Sequence, residues 1–255
     1  MSWSGFKKAV DRAGTTLKQK TGAIEKTVDR TFDEQEHKLK NLELKADDLH
    51  KYAKEYVESI RNLAIGHVEV ARSIDLFYDE GGELSLCGRR YMEVVLDLEE
   101  SCSIDLVENM NRTVLDPVNQ YREYFPKINE TIKKRGRKLL DYDAYRAKVR
   151  KIHEKGDSDK AAHVEVSASK AQATYEGINQ QLIEQMPKLA DLRIAVLDSS
   201  FKALVKSQLK FARESQARFE SVSSDFDSDL TLHQVQGKVD DIMAQMRDLT
   251  ICGLN

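Results

Sequence analysis

Proline and glycine are scarce in this chain of 255 residues, at 3 and 12. A strand-and-turn fold needs a turn signal every ~10 residues, so an all-β architecture is excluded and long helices are indicated. No run approaches the ~18 consecutive apolar residues of a membrane-spanning helix, and the first residues lack the apolar stretch of a secretory signal. Cysteine is rare too. Cys87, Cys102 and Cys252 form an odd set without metal-type spacing, as expected in a reducing compartment. Charge is abundant: 33% of residues are Asp, Glu, Lys or Arg, above the roughly one quarter of an average domain. With 40% hydrophobic residues there is enough for a core. The expectation is a soluble, cytosolic, mostly helical protein.

Features of catalysis are missing as well. There is no phosphate-cradling glycine loop and no Cys–His nucleophile arrangement. Glu34-Gln35-Glu36-His37 contains one Glu-x-x-His, but di-iron bundles need a second copy on another helix. No enzyme, metal or cofactor is therefore expected.

The net charge of −3 conceals a strong segregation. Residues 1–26 carry six bases against Asp11 and Glu25, a local +4. Residues 127–155 carry eleven bases against Glu130, Asp141, Asp143 and Glu154, a local +7, so the other 200 residues hold −14. Two basic zones on an acidic background raise the potential for anionic partners. The zone at 133–138 lacks the interleaved aromatics that stack on bases, so nucleic acid is not the expected partner.

Apolar residues recur at alternating strides of four and three from Val28 through Phe32, Gln35, Leu39, Leu42, Ala46, Leu49, Ala53, Tyr56, Ile60, Leu63, His67, Val70 and Ile74 to Phe77. Such a sustained seam predicts a coiled-coil-type helix, ended by Gly81-Gly82. A second tract, from near Tyr91 to Ile152, has a seam from Ile104, Val107 and Met110 through Val118, Tyr121 and Phe125 to Arg135, Leu139 and Arg146. Its phase runs through Pro117 and Pro126, which predicts one bent helix. After a turn at 155–160 a third tract runs from Val164 to Phe226, bent at Pro187. Its apolar face is widest between Leu189 and Phe211, where Ile194, Leu197, Leu204 and Leu209 widen it beyond a two-residue seam, as expected of a surface shared between the bundle and a partner subunit. Val235, Val239, Ile242, Met246 and Leu249 predict a last short amphipathic helix. Three long helices joined by short turns pack antiparallel. The expected fold is thus all-α, an elongated three-helix crescent that dimerises through its apolar middle.

The first residues form a separate pattern. Trp3, Phe6, Val10, Ala13 and Leu17 make an apolar stripe, with Lys7, Lys8, Arg12, Lys18 and Lys20 off it. Aromatics on one face and bases on the other describe a helix lying in a membrane interface. Gly5 and Gly14 each cost about 1 kcal/mol, and so short an isolated helix is marginal in water. The segment is expected to be unfolded in solution and to fold on anionic lipid.

Leu115-Asp116-Pro117, Tyr121, Phe125-Pro126, Ile128 and the run Lys134-Arg135-Gly136-Arg137-Lys138-Leu139-Leu140-Asp141-Tyr142-Asp143 closely resemble the second helix of amphiphysin-type N-BAR domains. Met1-Ser2-Trp3, Gly5-Phe6-Lys7-Lys8-Ala9 and Arg12-Ala13-Gly14 resemble the fungal "reduced viability upon starvation" branch and bridging integrator 3, members that lack an SH3 domain. The resemblance implies a BAR domain forming a banana-shaped dimer that senses or generates membrane curvature in endocytosis, cortical actin organisation or cytokinesis. It implies anionic lipids as ligands, and a homodimer or a heterodimer with an SH3-bearing relative that recruits actin regulators. It places the protein peripherally at the plasma membrane, cortical actin sites and the division site. The domain order it suggests is an inserting helix at 1–22, a BAR bundle at 23–230 and a C-terminal helix at 231–255. Carried over residue by residue, the lipid-facing bases are Lys133, Lys134, Arg135, Arg137 and Lys138. The bases nearer the tip are Arg146, Lys148, Arg150, Lys151, Lys155 and Lys160. Arg135 and Arg146 also fall on the seam. The alternative reading is a coiled-coil adaptor without direct lipid binding.

Overall fold

The apolar seams become helices in the computed structural model, which describes residues 3–78, 83–155, 158–225 and 231–249, without the side chains of Ser4, Glu83, Leu84, Ser158, Asp159, Lys160 and Leu232. Gly81-Gly82, Gly156 and Asp157 of the turn expected at 155–160, Phe226 and Cys252 lie outside the described residues. The helices are α1 (Trp3–Lys20), α2 (Arg30–Phe77), α3 (Glu83–Asp97), α4 (Ile104–Met110), α5 (Asp116–Arg122), α6 (Tyr124–Glu154), α7 (Ser158–Ser223) and α8 (Leu232–Arg247). Among the described residues no helix is long and apolar enough to cross a membrane.

The second tract differs from expectation. It begins at Glu83, not near Tyr91, and contains π-helical turns at Leu98–Ser103 and Asn111–Leu115. Glu123 interrupts it between α5 and α6. Pro117 and Pro126 therefore sit in the first turns of α5 and α6. The helical backbone continues into both sites, with Leu115 and Glu123 in right-handed helical geometry, and the π-helical turn at Asn111–Leu115 and the turn at Glu123 lie just before the prolines. The tract is helical without a break from Glu83 to Arg122 and resumes at Tyr124, as the unbroken phase of the seam predicts, with an irregular turn just ahead of each proline. Pro187 lies inside α7, which stays helical through it.

The chain forms two compact units, Met1–Glu55 with Asn111–Leu204 and Tyr56–Met110 with Val205–Asn255. In the first, Phe32, Leu39 and Ala46 of α2 bury against Tyr121, Phe125, Leu182 and Met186. Tyr121 and Phe125 meet edge to face at 5.4 Å, and the Tyr121 hydroxyl donates to the Leu189 carbonyl at 3.1 Å. The second unit buries Val57, Ala64 and Ala71 of α2 along with Val95, Leu98, Cys102, Leu106, Met110 and Val222. The buried line of α2 thus repeats every seven residues within each unit and steps by eleven from Ala46 to Val57. An eleven-residue step fits the helix period of 3.6 better than a strict heptad does, and it rotates the buried face. Leu63, Val70 and Phe77 of the expected seam, beyond the step, are exposed; Val28, Leu49 and Ile104 are exposed as well.

Asp29 starts α2. It accepts from the Phe32 amide at 3.0 Å and from the Asn179 side chain at 2.6 Å, with the Arg135 guanidinium 3.9 Å away. Burial disfavours its charge, but these hydrogen bonds and the arginine outweigh that and hold the carboxyl below its ordinary 3.8. A depressed folded-state value contributes stability at neutral pH that is lost as pH falls through the acid range. Urea midpoints measured against pH are expected to fall on acidification, and the Asp29→Asn variant, still a good helix cap, to show a flatter acid limb.

Candidate membrane-facing site

Lysine and arginine placed on one side of a helix act together only if no neighbour covers that side. At about 100° per residue, Lys133, Lys134, Arg137, Lys138, Lys148 and Lys151 fall within about 140° of the circumference of α6. Leu139 and Phe125 lie on the opposite side, in the core. Lys133, Lys134 and Arg137 are exposed and share a shallow depression with Lys127, Glu130 and Thr131.

Not every base expected in this set belongs to it. Arg135 is 6% exposed. Its guanidinium stacks over the Phe32 ring at 3.4 Å, donates to Asn179 Oδ1 at 2.6 Å and reaches the Tyr175 hydroxyl at 3.3 Å. It belongs to the core, because it lies on the seam side of α6 and finds aromatic and amide partners there. Arg146 donates to the Glu25 carbonyl at 2.9 Å and stands 3.6 Å from Asp143, so it fastens the segment after α1. Arg150 is largely exposed near the Glu25 carboxylate at 3.9 Å. Lys155 is exposed, and the Lys160 side chain lies outside the described residues.

The first helix is formed and docked, where an unfolded segment was expected. Arg12 binds Asp141 of α6 with two parallel bonds of 2.8 Å, the bidentate geometry that makes arginine–carboxylate pairs strong. The partnership with Asp141 raises the Arg12 pKa against the opposing effect of burial. Gln19 donates to Asp143 Oδ2 at 2.8 Å, and the Thr27 hydroxyl donates to Asp143 Oδ1 at 2.6 Å. Asp143 itself is fully buried. Gly22, at φ +75°, closes α1, with Gly22 N–H bonded to the Gln19 carbonyl and Ala23 N–H to the Lys18 carbonyl. This Schellman-type end needs the left-handed conformation that glycine adopts without strain. These tertiary bonds offset the cost of Gly5 and Gly14 that makes the isolated helix marginal.

Docking uses the polar edge of α1. Arg12 and Gln19 are half-buried and Thr15 is buried, whereas Trp3, Phe6, Val10 and Leu17 are 85%, 58%, 55% and 65% exposed. Trp3 and Phe6 lie side by side with ring centres 6.3 Å apart. Lys7, Lys8, Lys18 and Lys20 are exposed beside this stripe. The sequence pattern identified the stripe and its bases. Asp141 and Asp143 went unrecognised as the docking groups, although two buried-side carboxylates in a basic run were the available signal.

A model of the BAR domain family matches residues 6–228 of the chain. The chain is 42% identical over 261 residues to Protein hob3 of Schizosaccharomyces pombe, covering 100% of this chain and 99% of that protein. It is 36% identical over 264 residues to the Regulator of cytoskeleton and endocytosis RVS161 of Candida albicans, with 100% and 99% covered. Among solved structures, the amphiphysin BAR domain from Drosophila superposes with a TM-score of 0.65 at 22% identity, over 88% of this chain and 97% of that one. This last likeness bears on the fold.

Proposed function

The chain belongs to the BAR domain family, and we propose that it binds anionic bilayers peripherally through α1 and α6. In this reading it senses or generates curvature in endocytosis, cortical actin organisation or cytokinesis, at the plasma membrane, cortical actin sites and division site. The observation that carries it is the docking of α1 by its polar edge, which leaves Trp3, Phe6, Val10 and Leu17 turned outward beside lysines. An outward apolar stripe bordered by cations suits an interface of acyl chains and anionic headgroups. Each base held at such a surface contributes about 1 kcal/mol, fading beyond a Debye length of about 10 Å in 0.1 M salt. The relative named a regulator of cytoskeleton and endocytosis supports the cellular setting.

Trp3 is the only tryptophan, so its fluorescence reports on α1 alone. Phosphatidylserine-containing vesicles are expected to shift its emission to the blue and to sediment the protein. Phosphatidylcholine vesicles should do neither, and added salt should reverse both effects. Unshifted emission without sedimentation would overturn the proposal in favour of a coiled-coil adaptor.

A second subunit is part of this reading. Ile194 and Phe201, seven residues apart on one face of α7, are 62% and 65% exposed, an apolar surface that a partner can cover. Either another copy or an SH3-bearing BAR relative covers them, and the latter would bring actin regulators. Phe201→Asp is expected to weaken association by at least about 2 kcal/mol, roughly thirtyfold, in sedimentation equilibrium.

A further inference from the structure

α8 stands uncovered: every side chain described from Thr231 to Leu249 is exposed. Its start is nonetheless well defined. The Thr231 amide donates to Gln234 Oε1 at 2.8 Å and the Gln234 amide donates to Thr231 Oγ1 at 3.4 Å, a reciprocal cap. Even when capped, a helix of 16 residues is marginal in water unless an apolar side is packed. α8 therefore calls for a partner, and the spacing of its apolar residues says of what kind.

Val235, Val239, Ile242, Met246 and Leu249 follow one another at steps of four, three, four and three. All five are exposed. The four inside the helix fall within about 60° of its circumference, with Met243 on one flank and Lys238 on the other. Such a heptad line keeps facing a single neighbouring helix, as the a and d positions of a two-stranded coiled coil do.

Charge narrows the choice of that neighbour. Lys238 and Arg247 are balanced by Asp240 and Asp241, so α8 carries no net charge. Asp240, Asp241 and Arg247 lie about 120° or more from the middle of the line. α1 borders its stripe with lysines; α8 has no such cationic border, so an anionic bilayer finds little to attract it here. A second α8 fits instead. Its line is apolar in the same places, and in a parallel pair Lys238 falls beside Met243 of the other strand, the flanking g-to-e contact of a coiled coil. No like charges are brought together.

We propose that α8 pairs with α8 of a second copy of this chain as a short two-stranded coiled coil. A pair this short is weak between free chains, and it gains from the effective concentration of two subunits already joined. It thus rests on the second subunit of the reading above and needs no lipid.

Val239→Asp/Ile242→Asp is expected to weaken self-association at least about tenfold in sedimentation equilibrium, and Asp240→Ala/Asp241→Ala, on the outer side, to leave it within about twofold. The main melting transition should stay put in both variants, because α8 is uncovered by its own chain. Disulfide capture under copper–phenanthroline oxidation, in a Cys252→Ser background, reads the contact directly. Val235→Cys is expected to link to its counterpart if the strands are parallel, or to Met246→Cys of another chain if they are antiparallel, since a disulfide joins Cα atoms only within about 7 Å. Asp241→Cys should not link. The pair is overturned if neither combination links, if Asp241→Cys links as readily as Val235→Cys, or if Val239→Asp/Ile242→Asp self-associates like the parent. Should it fail while Phe201→Asp still weakens association, the α7 contact stands and only the α8 pair is removed. A chain that stays monomeric at every concentration removes both.

Discussion

Replacing Lys133, Lys134 and Arg137 together with glutamate is expected to abolish sedimentation with phosphatidylserine vesicles while leaving the fold intact. All three side chains are exposed on the same part of α6, away from its buried side. Losing three bases removes about 3 kcal/mol of attraction per chain, more than a hundredfold in partitioning. The three new carboxylates add repulsion, and a second subunit doubles both effects. The change costs the fold little, because these residues make no tertiary hydrogen bond or ion pair among the described residues; helical circular dichroism and the melting temperature should stay near those of the parent. Undiminished vesicle binding by this variant would remove α6 from the lipid surface. Lys138 is kept in the variant because it stands 3.9 Å from Asp141, where reversal would also disturb the docking of α1.

Arg135→Ala should act in the opposite way, unfolding the protein more than it alters any surface. The guanidinium lies between the rings of Phe32 and Tyr175, 3.4 and 5.3 Å from their centres. It also donates to Asn179 and faces Asp29. Truncation strips the half-buried Asn179 and the buried Tyr175 of their donor and opens a void beside Phe32. Removing one partner of a buried charged network costs about 3–5 kcal/mol, a large share of the roughly 5–15 kcal/mol that holds a domain together. Urea denaturation should show the midpoint moving sharply down. Lysine is not expected to rescue it, since an ammonium group cannot reproduce the planar fork or the ring stacking. A variant as stable as the parent would contradict the packing described here.

These two variants separate bases that look alike along the chain. Lys134 and Arg135 are neighbours in a run of five cations and one glycine, and both match the lipid-facing pattern of the family they resemble. One residue of rotation, about 100°, turns one outward and the other into the core. That Arg135 falls on the seam was visible in its spacing; that Phe32, Tyr175 and Asn179 are shaped to receive it was not.

The helices, the scarcity of breaks between them, the basic character of α6 and the apolar stripe of α1 are properties of the sequence alone, since each depends on residues three or four apart on one element. Tertiary structure decided what meets what: Arg12 on Asp141, and Gln19 and Thr27 on Asp143. It also rotated the buried line of α2 between Ala46 and Val57, and so settled which apolar residues remain outward. Pairings of this kind join positions more than a hundred residues apart or belong to different helices. Periodicity records which side of a helix is apolar, and the partner on another helix leaves no mark in it.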